Sequence, residues 1–330
     1  MVLLGFLALT AIVIARMTDL FAAVMLLGIY SLLCASLFVV MDAIDVAFTE
    51  AVVGAGVSTL LLLKTLTLTG RYQHNCPPRR SRLALLMVLA CGALLVYGTW
   101  DIPAFGLASD PIHQHVAPYY LSHSLSDTGV PNVVTSILAS YRGFDTFGEL
   151  VVIFTAGIGV LGILTTLSQQ NQARTDIAAM HEHTVLRTVA KMLIPLLLVF
   201  ALYVQFHGDY GPGGGFQAGV IFAVAIILYS MLFGEHLARK VINRAGTQWL
   251  AALGLLVFGG VGIVTILLGD NFLNYNVLLS DRIGGQLLGI LLVELGVGIT
   301  VAAAMIMIFY SFTRHQRKTL GSKHDDNGTV

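Results

Sequence analysis

Charge is scarce in this sequence. Only 11% of its 330 residues are Asp, Glu, Lys or Arg, while 56% are hydrophobic, at a mean hydropathy of +0.83. Soluble domains carry about 25% charged residues, so a soluble globular chain is excluded, and the lack of polar sequence excludes a disordered one. An integral membrane protein remains. Lys plus Arg and Asp plus Glu balance at 18 each, so no basic excess points to nucleic acid. Cysteine is nearly absent: Cys34, Cys76 and Cys91 make neither a disulfide framework nor a spaced metal set. His113 and His115 with His123, and His181 with His183, lack the spacing and ligand number of a zinc site. No Ser/His/Asp arrangement or redox cysteine pair is visible. The expectation is therefore no metal, no cofactor and no enzyme active site in this chain.

What is abundant is long apolar runs. Crossing a hydrocarbon core of ~30 Å takes about 20 apolar helical residues, and open strands cannot cross. Runs 20–41, 46–69, 83–100, 145–167, 188–206, 216–233, 248–268 and 283–312 meet that length. The shorter run 2–15 is followed, not preceded, by a cation (Arg16), the reverse of a cleavable signal peptide, and reads as a retained first helix. The expected fold is all-α and polytopic, with about nine transmembrane helices.

Placing the N-terminus outside puts Arg16, Arg71, Arg79, Arg80, Arg82, Arg174, Arg187, Lys191, Arg239, Lys240, Arg244, Arg314, Arg317, Lys318 and Lys323 in cytoplasmic segments, 15 of the 18 cations. Arg142 and Arg282 stay outside, and Lys64 lies near the inner end of a span, where it can snorkel. Nine crossings, N-out and C-in, follow.

Loop length and composition divide the chain into blocks 1–70, 83–167 and 188–312, joined by a basic linker at 71–82 and a polar linker at 168–187, with a polar tail at 313–330 that is expected to fray. The outer segment 101–144 is unusually long and contains Val133, Val134, Ile137, Leu138 and Tyr141 at helical spacing. These residues suit a short amphipathic helix on the outer surface or against a partner, or equally a packed loop helix.

Three of the five glutamates, Glu50, Glu149 and Glu294, fall inside apolar spans. An ionisable group there costs about 2.5 kcal/mol or more and normally faces a bundle interior or a water path. Glu50 and Glu149 lie five and four residues beyond Asp45 and Asp145, ~6 to 8 Å deep, whereas Glu294 is eleven residues into its run, ~16 Å, near the midplane and with no evident partner. Each is a candidate ion-path residue, against the alternative of a protonated acid that holds two helices together. Lys64 reads as a relay residue or as a snorkelling anchor.

Segment 207–217, His-Gly-Asp-Tyr-Gly-Pro-Gly-Gly-Gly-Phe-Gln, joins two spans on the outer face. A phosphate-binding loop would need Lys-Ser or Lys-Thr after its glycines, and Phe216 and Gln217 follow instead. Pro212, Gly213, Gly214 and Gly215 suit a tight re-entrant turn with positive φ. His207 and Asp209 either shape an ion entrance or satisfy exposed helix ends.

That segment, with Leu186-Arg187-Thr188-Val189-Ala190 and with Gly285-Gln286 through Val293-Glu294-Leu295-Gly296-Val297-Gly298, resembles the B subunit of Mrp-type multisubunit sodium/proton antiporters. Asp19-Leu20 and Asp45-Val46-Ala47-Phe48-Thr49-Glu50-Ala51-Val52-Val53-Gly54 are similar to the D subunit of membrane-bound hydrogenases. Val130-Pro131-Asn132-Val133-Val134 and Tyr141-Arg142-Gly143-Phe144-Asp145-Thr146-Phe147-Gly148-Glu149 are similar to the E subunit. Both units also resemble the C-terminal extension of the large Mrp A subunit. The resemblance implies a bacterial inner-membrane protein assembled with A, C, D, E, F and G types, in contact with lipid, in a complex exchanging cytoplasmic Na+ for external H+. It places Glu50 and Glu149 at acidic positions of the family's ion path and Glu294 at an acidic position of the B subunit. A membrane-arm component of a hydrogenase-like, redox-driven pump is the alternative, and a passive scaffold is a third.

Overall fold

The computed structural model describes residues 1–73, 77–103, 106–166 and 184–325. In chain order the helices are α1 (Val2–Arg16), α2 (Leu20–Val40) and α3 (Ile44–Glu50), which continues through a π-helical stretch (Ala51–Ser58) into α4 (Thr59–Thr69). Then come α5 (Pro78–Gly98), α6 (Pro111–Gln114), α7 (Val116–Thr128), α8 (Val133–Thr135) with a second π stretch (Ser136–Tyr141), and α9 (Gly143–Thr166). The last group is α10 (Thr184–His207), α11 (Gly215–Phe233), α12 (Glu235–Val241), α13 (Arg244–Leu267) and α14 (Arg282–Asp325).

Eight of these helices are long and apolar enough to cross a membrane, and the chain is an all-α, multi-pass membrane protein. The ninth, α1, has 15 residues, ~22 Å of helix, and is shorter than the hydrocarbon core. It folds back along α2 and buries Leu7. Asp19 caps α2, accepting from the N–H groups of Phe21 and Ala22, and pairs with Arg71 at 2.7 Å, which ties the foot of α2 to the end of α4. That pairing holds the Asp19 carboxyl below its ordinary range.

Three elements depart from expectation. Helix α7 was not legible in the sequence. The tail does not fray at residue 313: α14 runs on through Asp325, because Arg, Gln, Lys and Leu there are good helix formers that continue the backbone ladder. Segment 133–141 is helical but buries Thr135, Ser136 and Ala139 and turns Val134 and Leu138 outward, so its small residues, not its apolar ones, pack inside. Cys34 and Cys91 are free thiols. Cys76, His181, His183 and residues 168–183 of the second linker lie outside the described residues.

One core draws on every block: Val57, Val130, Leu150, Val220, Phe258, Tyr275 and Ile290 belong to it. Its axis is α14, which lies between α11, α13 and α9. In lipid there is little hydrophobic gain from bringing two apolar helices together, so close approach relies on small residues that let backbones meet. A Cβ on Gly254 would stand 2.5 Å from the carbonyl oxygen of Gly296, and one on Gly296 would stand 2.7 Å from the carbonyl of Gly254. Gly219 meets the carbonyl of Gly298 in the same way, at 2.6 Å. By contrast none of the Arg80–Gly98 stretch of α5 is buried.

Gly254→Val should destabilise the α13–α14 pair by about 1–3 kcal/mol through overpacking, whereas Gly260→Ala, on the same helix with open space around it, should be neutral or slightly stabilising. Thermal midpoints of the two variants in detergent check this. Equal midpoints would remove the close backbone crossing as the source of stability.

Candidate functional site

The site is built around the turn between α10 and α11. Helix α10 ends at His207, whose carbonyl accepts from the N–H groups of Tyr210 and Gly211. The chain then doubles back so tightly that a Cβ on Gly208 would stand 2.8 Å from the backbone of Gly214. Of the three glycines after Pro212, only Gly214 needs its freedom of φ (+116°); its N–H donates to the carbonyl of Val204 at 3.1 Å. Gly213 and Gly215 are required for another reason. A Cβ on Gly213 would press on the carbonyl of Val204 at 2.8 Å, and one on Gly215 would overlap the carbonyl oxygen of Glu294.

Each sequence block holds this turn. From α3, the Asp45 carboxylate accepts from the Gly213 N–H at 3.2 Å, and Thr49 Oγ1 accepts from Gln217 Nε2 at 3.0 Å. From the second block, Asn132 Nδ2 donates to the carbonyls of Gly208 (3.1 Å) and Gly211 (3.0 Å), and the Asn132 N–H donates to the carbonyl of Asp209 (3.0 Å). Thr135 Oγ1 also donates to the carbonyl of Gly208, at 2.7 Å.

Inside this clasp lies a cavity of about 330 Å³, lined by Asp45, Thr49, Glu149, Gln217, Glu294 and the three glycines. Glu294 accepts no hydrogen bond from any described residue, and the charges of Asp209 and Asp45 both reach it. A Cβ on Gly214 would stand 3.2 Å from its Oε1. Its charged neighbours are therefore other carboxylates. A collar formed by Tyr275–Val277 and the Ser136–Tyr141 stretch packs against α14, with Tyr275 lying over Gly285 and Gly289. Tyr275 pins this collar: its hydroxyl donates to the carbonyl of Ala139 at 2.8 Å.

The other candidates lie elsewhere. Glu50 turns from the cavity toward α2, where its Oε1 and Ser31 Oγ both lie over Gly54, within reach of Tyr30 and Cys34. Asp145 is exposed and pairs with Arg142. His207 stacks on Tyr203 at 4.8 Å between ring centres, outside the cavity. Lys64, half-buried, lies at the other end of its span in the field of Glu235, which pairs with Arg239. Three residues were missed in the sequence: Thr49, Gln217 and Glu235. Thr49 was findable, since it follows Asp45 by one helical turn and so shares its face. Glu235 carried no signal, because it sits just beyond the end of an apolar run.

Three family profiles match the chain in series. Residues 5–71 match the profile of the D subunit of MBH, residues 79–182 that of the E subunit of MBH, and residues 185–307 the "Domain related to MnhB subunit of Na+/H+ antiporter". A Staphylococcus haemolyticus (strain JCSC1435) protein named as an antiporter subunit, mnhB2, is 34% identical over 137 residues, 39% of this chain and 93% of that protein. A protein of Rhizobium meliloti (strain 1021), named as a probable K(+)/H(+) antiporter component of combined A/B type, is 25% identical over 327 residues, 89% of this chain; the chain spans only 32% of that relative's length. Among solved structures, a chain of the Mrp complex from Dietzia sp. DQ12-45-1b shares the fold at a TM-score of 0.76 and 23% identity, covering 94% of this chain and 34% of that one. A chain of the membrane-bound sulfane sulfur reductase, an archaeal respiratory membrane complex, matches at a TM-score of 0.51 and 28% identity over 69% of this chain and 96% of that one.

Asp209, at the rim of the turn, is half-buried, and its Oδ1 has no hydrogen-bond partner among the described residues. Burial raises its carboxyl above the ordinary range. A folded-state value above the unfolded one favours folding below the unfolded value and loses that contribution as pH rises through the folded one. Asp209→Asn should therefore flatten the decline of thermal midpoint between about pH 4 and neutrality, with no gain over the parent at the acid end. Parallel pH curves for the two proteins would refute the burial account.

Proposed function

The chain belongs to the MnhB family of antiporter subunits, and from that premise we propose that it is a membrane subunit of a multisubunit monovalent cation/proton antiporter whose ion route passes through the Asp45–Glu149–Glu294 cavity. The observation that carries this is the convergence of carboxylates from all three blocks on one cavity of about 330 Å³. A carboxylate there can be neutralised by a proton or by a cation, and the mutual repulsion of Asp45, Asp209 and Glu294 makes each neutralising event compete with the next. Competition between H+ and a metal cation for one set of charges is the physical basis of exchange. Na+ is the expected cation; the name of the Rhizobium relative refers to K+ instead.

The blocks 1–70, 83–167 and 188–312 act in this proposal as D-like, E-like and B-like modules fused in one chain, oriented N-out and C-in in the cell membrane, with α1 as a short ninth crossing. Glu50 extends the route inward from the cavity, and Lys64 with Glu235 marks its cytoplasmic end. The exposure of α5 supports assembly with the other subunit types, since a helix with none of its membrane window buried among the described residues needs lipid or a partner around it. The likeness to a chain of the sulfane sulfur reductase favours a second reading, in which the same module couples ion movement to electron transfer. Exchange driven by an imposed cation gradient alone, with no electron donor, separates the two.

In everted vesicles holding the full complex, Glu149→Gln and Glu294→Gln should each lower cation/proton exchange by at least about tenfold while leaving assembly on native gels unchanged, because glutamine keeps shape but cannot titrate. Near-normal exchange in both would overturn the cavity assignment. Glu50→Gln should also slow exchange, and a normal rate there would confine the route to the cavity.

Topology is checked separately. A reporter fused after Val330 should lie in the cytoplasm and one inserted near Ser122 should lie outside. Both on one side would overturn the five crossings placed between them.

A further inference from the structure

The cavity wall holds one polar group that the carboxylates leave unexplained. Gln217, in the first turn of α11, lines the cavity and is only 8% exposed. Its Nε2 donates to Thr49 Oγ1 at 3.0 Å, and that hydroxyl donates its single proton to the carbonyl of Asp45, also at 3.0 Å. With its proton committed, Thr49 can only accept from the amide. The amide is thereby fixed one way round, its nitrogen toward α3 and its oxygen on the other arm. Gln217 Oε1 accepts no hydrogen bond from any described residue, yet it is not sealed inside the protein. A side chain more than nine-tenths buried is thus held by its donor end, and its oxygen is left to whatever occupies the cavity.

The other groups on the wall select that occupant. Asp45 and Glu294 line the same cavity, and their charge disfavours an anion. Among the described residues no three His, Cys, Asp or Glu gather closely enough to hold an ion between them. A cation here therefore completes its shell with neutral oxygens, and hard cations accept carboxylate, carbonyl and water oxygens alike. At ~30 Å³ for each water the space has room for about ten, so the ion sheds only part of its hydration. A proton differs from a metal cation at this point. It can sit on Asp45 or Glu294 but gains nothing from an amide oxygen, which does not titrate. Resting on the cavity reading above, we propose that Gln217 Oε1 is a ligand of the transported monovalent cation, beside Asp45 and Glu294, and that Thr49 is the positioning residue that turns it to the ion. Gln217 then favours the metal cation over the proton at carboxylates that either can neutralise.

The test is exchange in everted vesicles holding the full complex, with Na+ and K+ chlorides each titrated at alkaline pH, where protons compete least. Gln217→Met keeps the length of the side chain and removes the oxygen, and Thr49→Val keeps the shape and releases the amide. Each should raise the half-saturating concentration of the transported cation at least about fivefold, a larger change than any fall in maximal rate. Thr49→Ser, which keeps the hydroxyl, should bring it back toward the parent value. Thr49→Val carries the test if Gln217→Met fails to assemble on native gels. A half-saturating concentration like the parent's in either assembled variant overturns the proposal and leaves water as the partner of the oxygen. Glu294→Gln in the same vesicles separates that failure from failure of the cavity reading. Lost exchange in Glu294→Gln with parent-like half-saturation in the other variants overturns the ligand assignment alone, whereas normal exchange in Glu294→Gln overturns both.

Discussion

Any side chain at residue 215 would collide with the carbonyl of Glu294, and with its absence the turn between α10 and α11 comes to rest directly on the backbone of α14. That contact sets the height of the turn. The height in turn lets the Gly213 N–H meet Asp45, places Gly214 over the Glu294 carboxylate, and leaves the peptide carbonyls of Gly208 and Gly211 facing Asn132. Three segments far apart in sequence are thus registered against one another through main-chain groups, whose positions do not depend on rotamer choice. The carboxylates of the cavity inherit that precision, because each sits on or beside a helix fixed by the clasp.

The spans were legible because bilayer thickness fixes the length of an apolar run, and the departures at their ends are of a few residues only. The re-entrant turn was legible as a turn, since Pro-Gly-Gly-Gly admits little else. Its neighbours were not: Asp45, Glu149 and Glu294 are far apart along the chain, and only the crossing of α3, α9 and α14 brings them together. Helix α7 escaped notice because its helical residues alternate with His, Ser and Pro, without an apolar stripe.

The two ends of the protein manage charge in different ways. On the turn side, carboxylates of like sign face one cavity, and the Gly213 N–H meets one of them, Asp45. At the other end, opposite charges share a site: Arg239 pairs with Glu235 and its guanidinium lies 5.6 Å from the ring centre of Tyr310, in the same region as Lys64. One end gathers carboxylates around a cavity, and the other joins opposite charges.

The π-helical stretch at Ala51–Ser58 gives these two ends their separate directions. In an uninterrupted α-helix, residues fourteen apart return to nearly the same azimuth, so Glu50 and Lys64 would look toward a common neighbour. Closing each hydrogen-bonded ring one residue later turns the chain through a smaller angle per residue. Over eight residues the helical phase slips, and the azimuth of everything beyond Ser58 is reset relative to everything before Ala51. Glu50 is thereby left addressing α2, while Lys64 addresses the Glu235 side of the bundle.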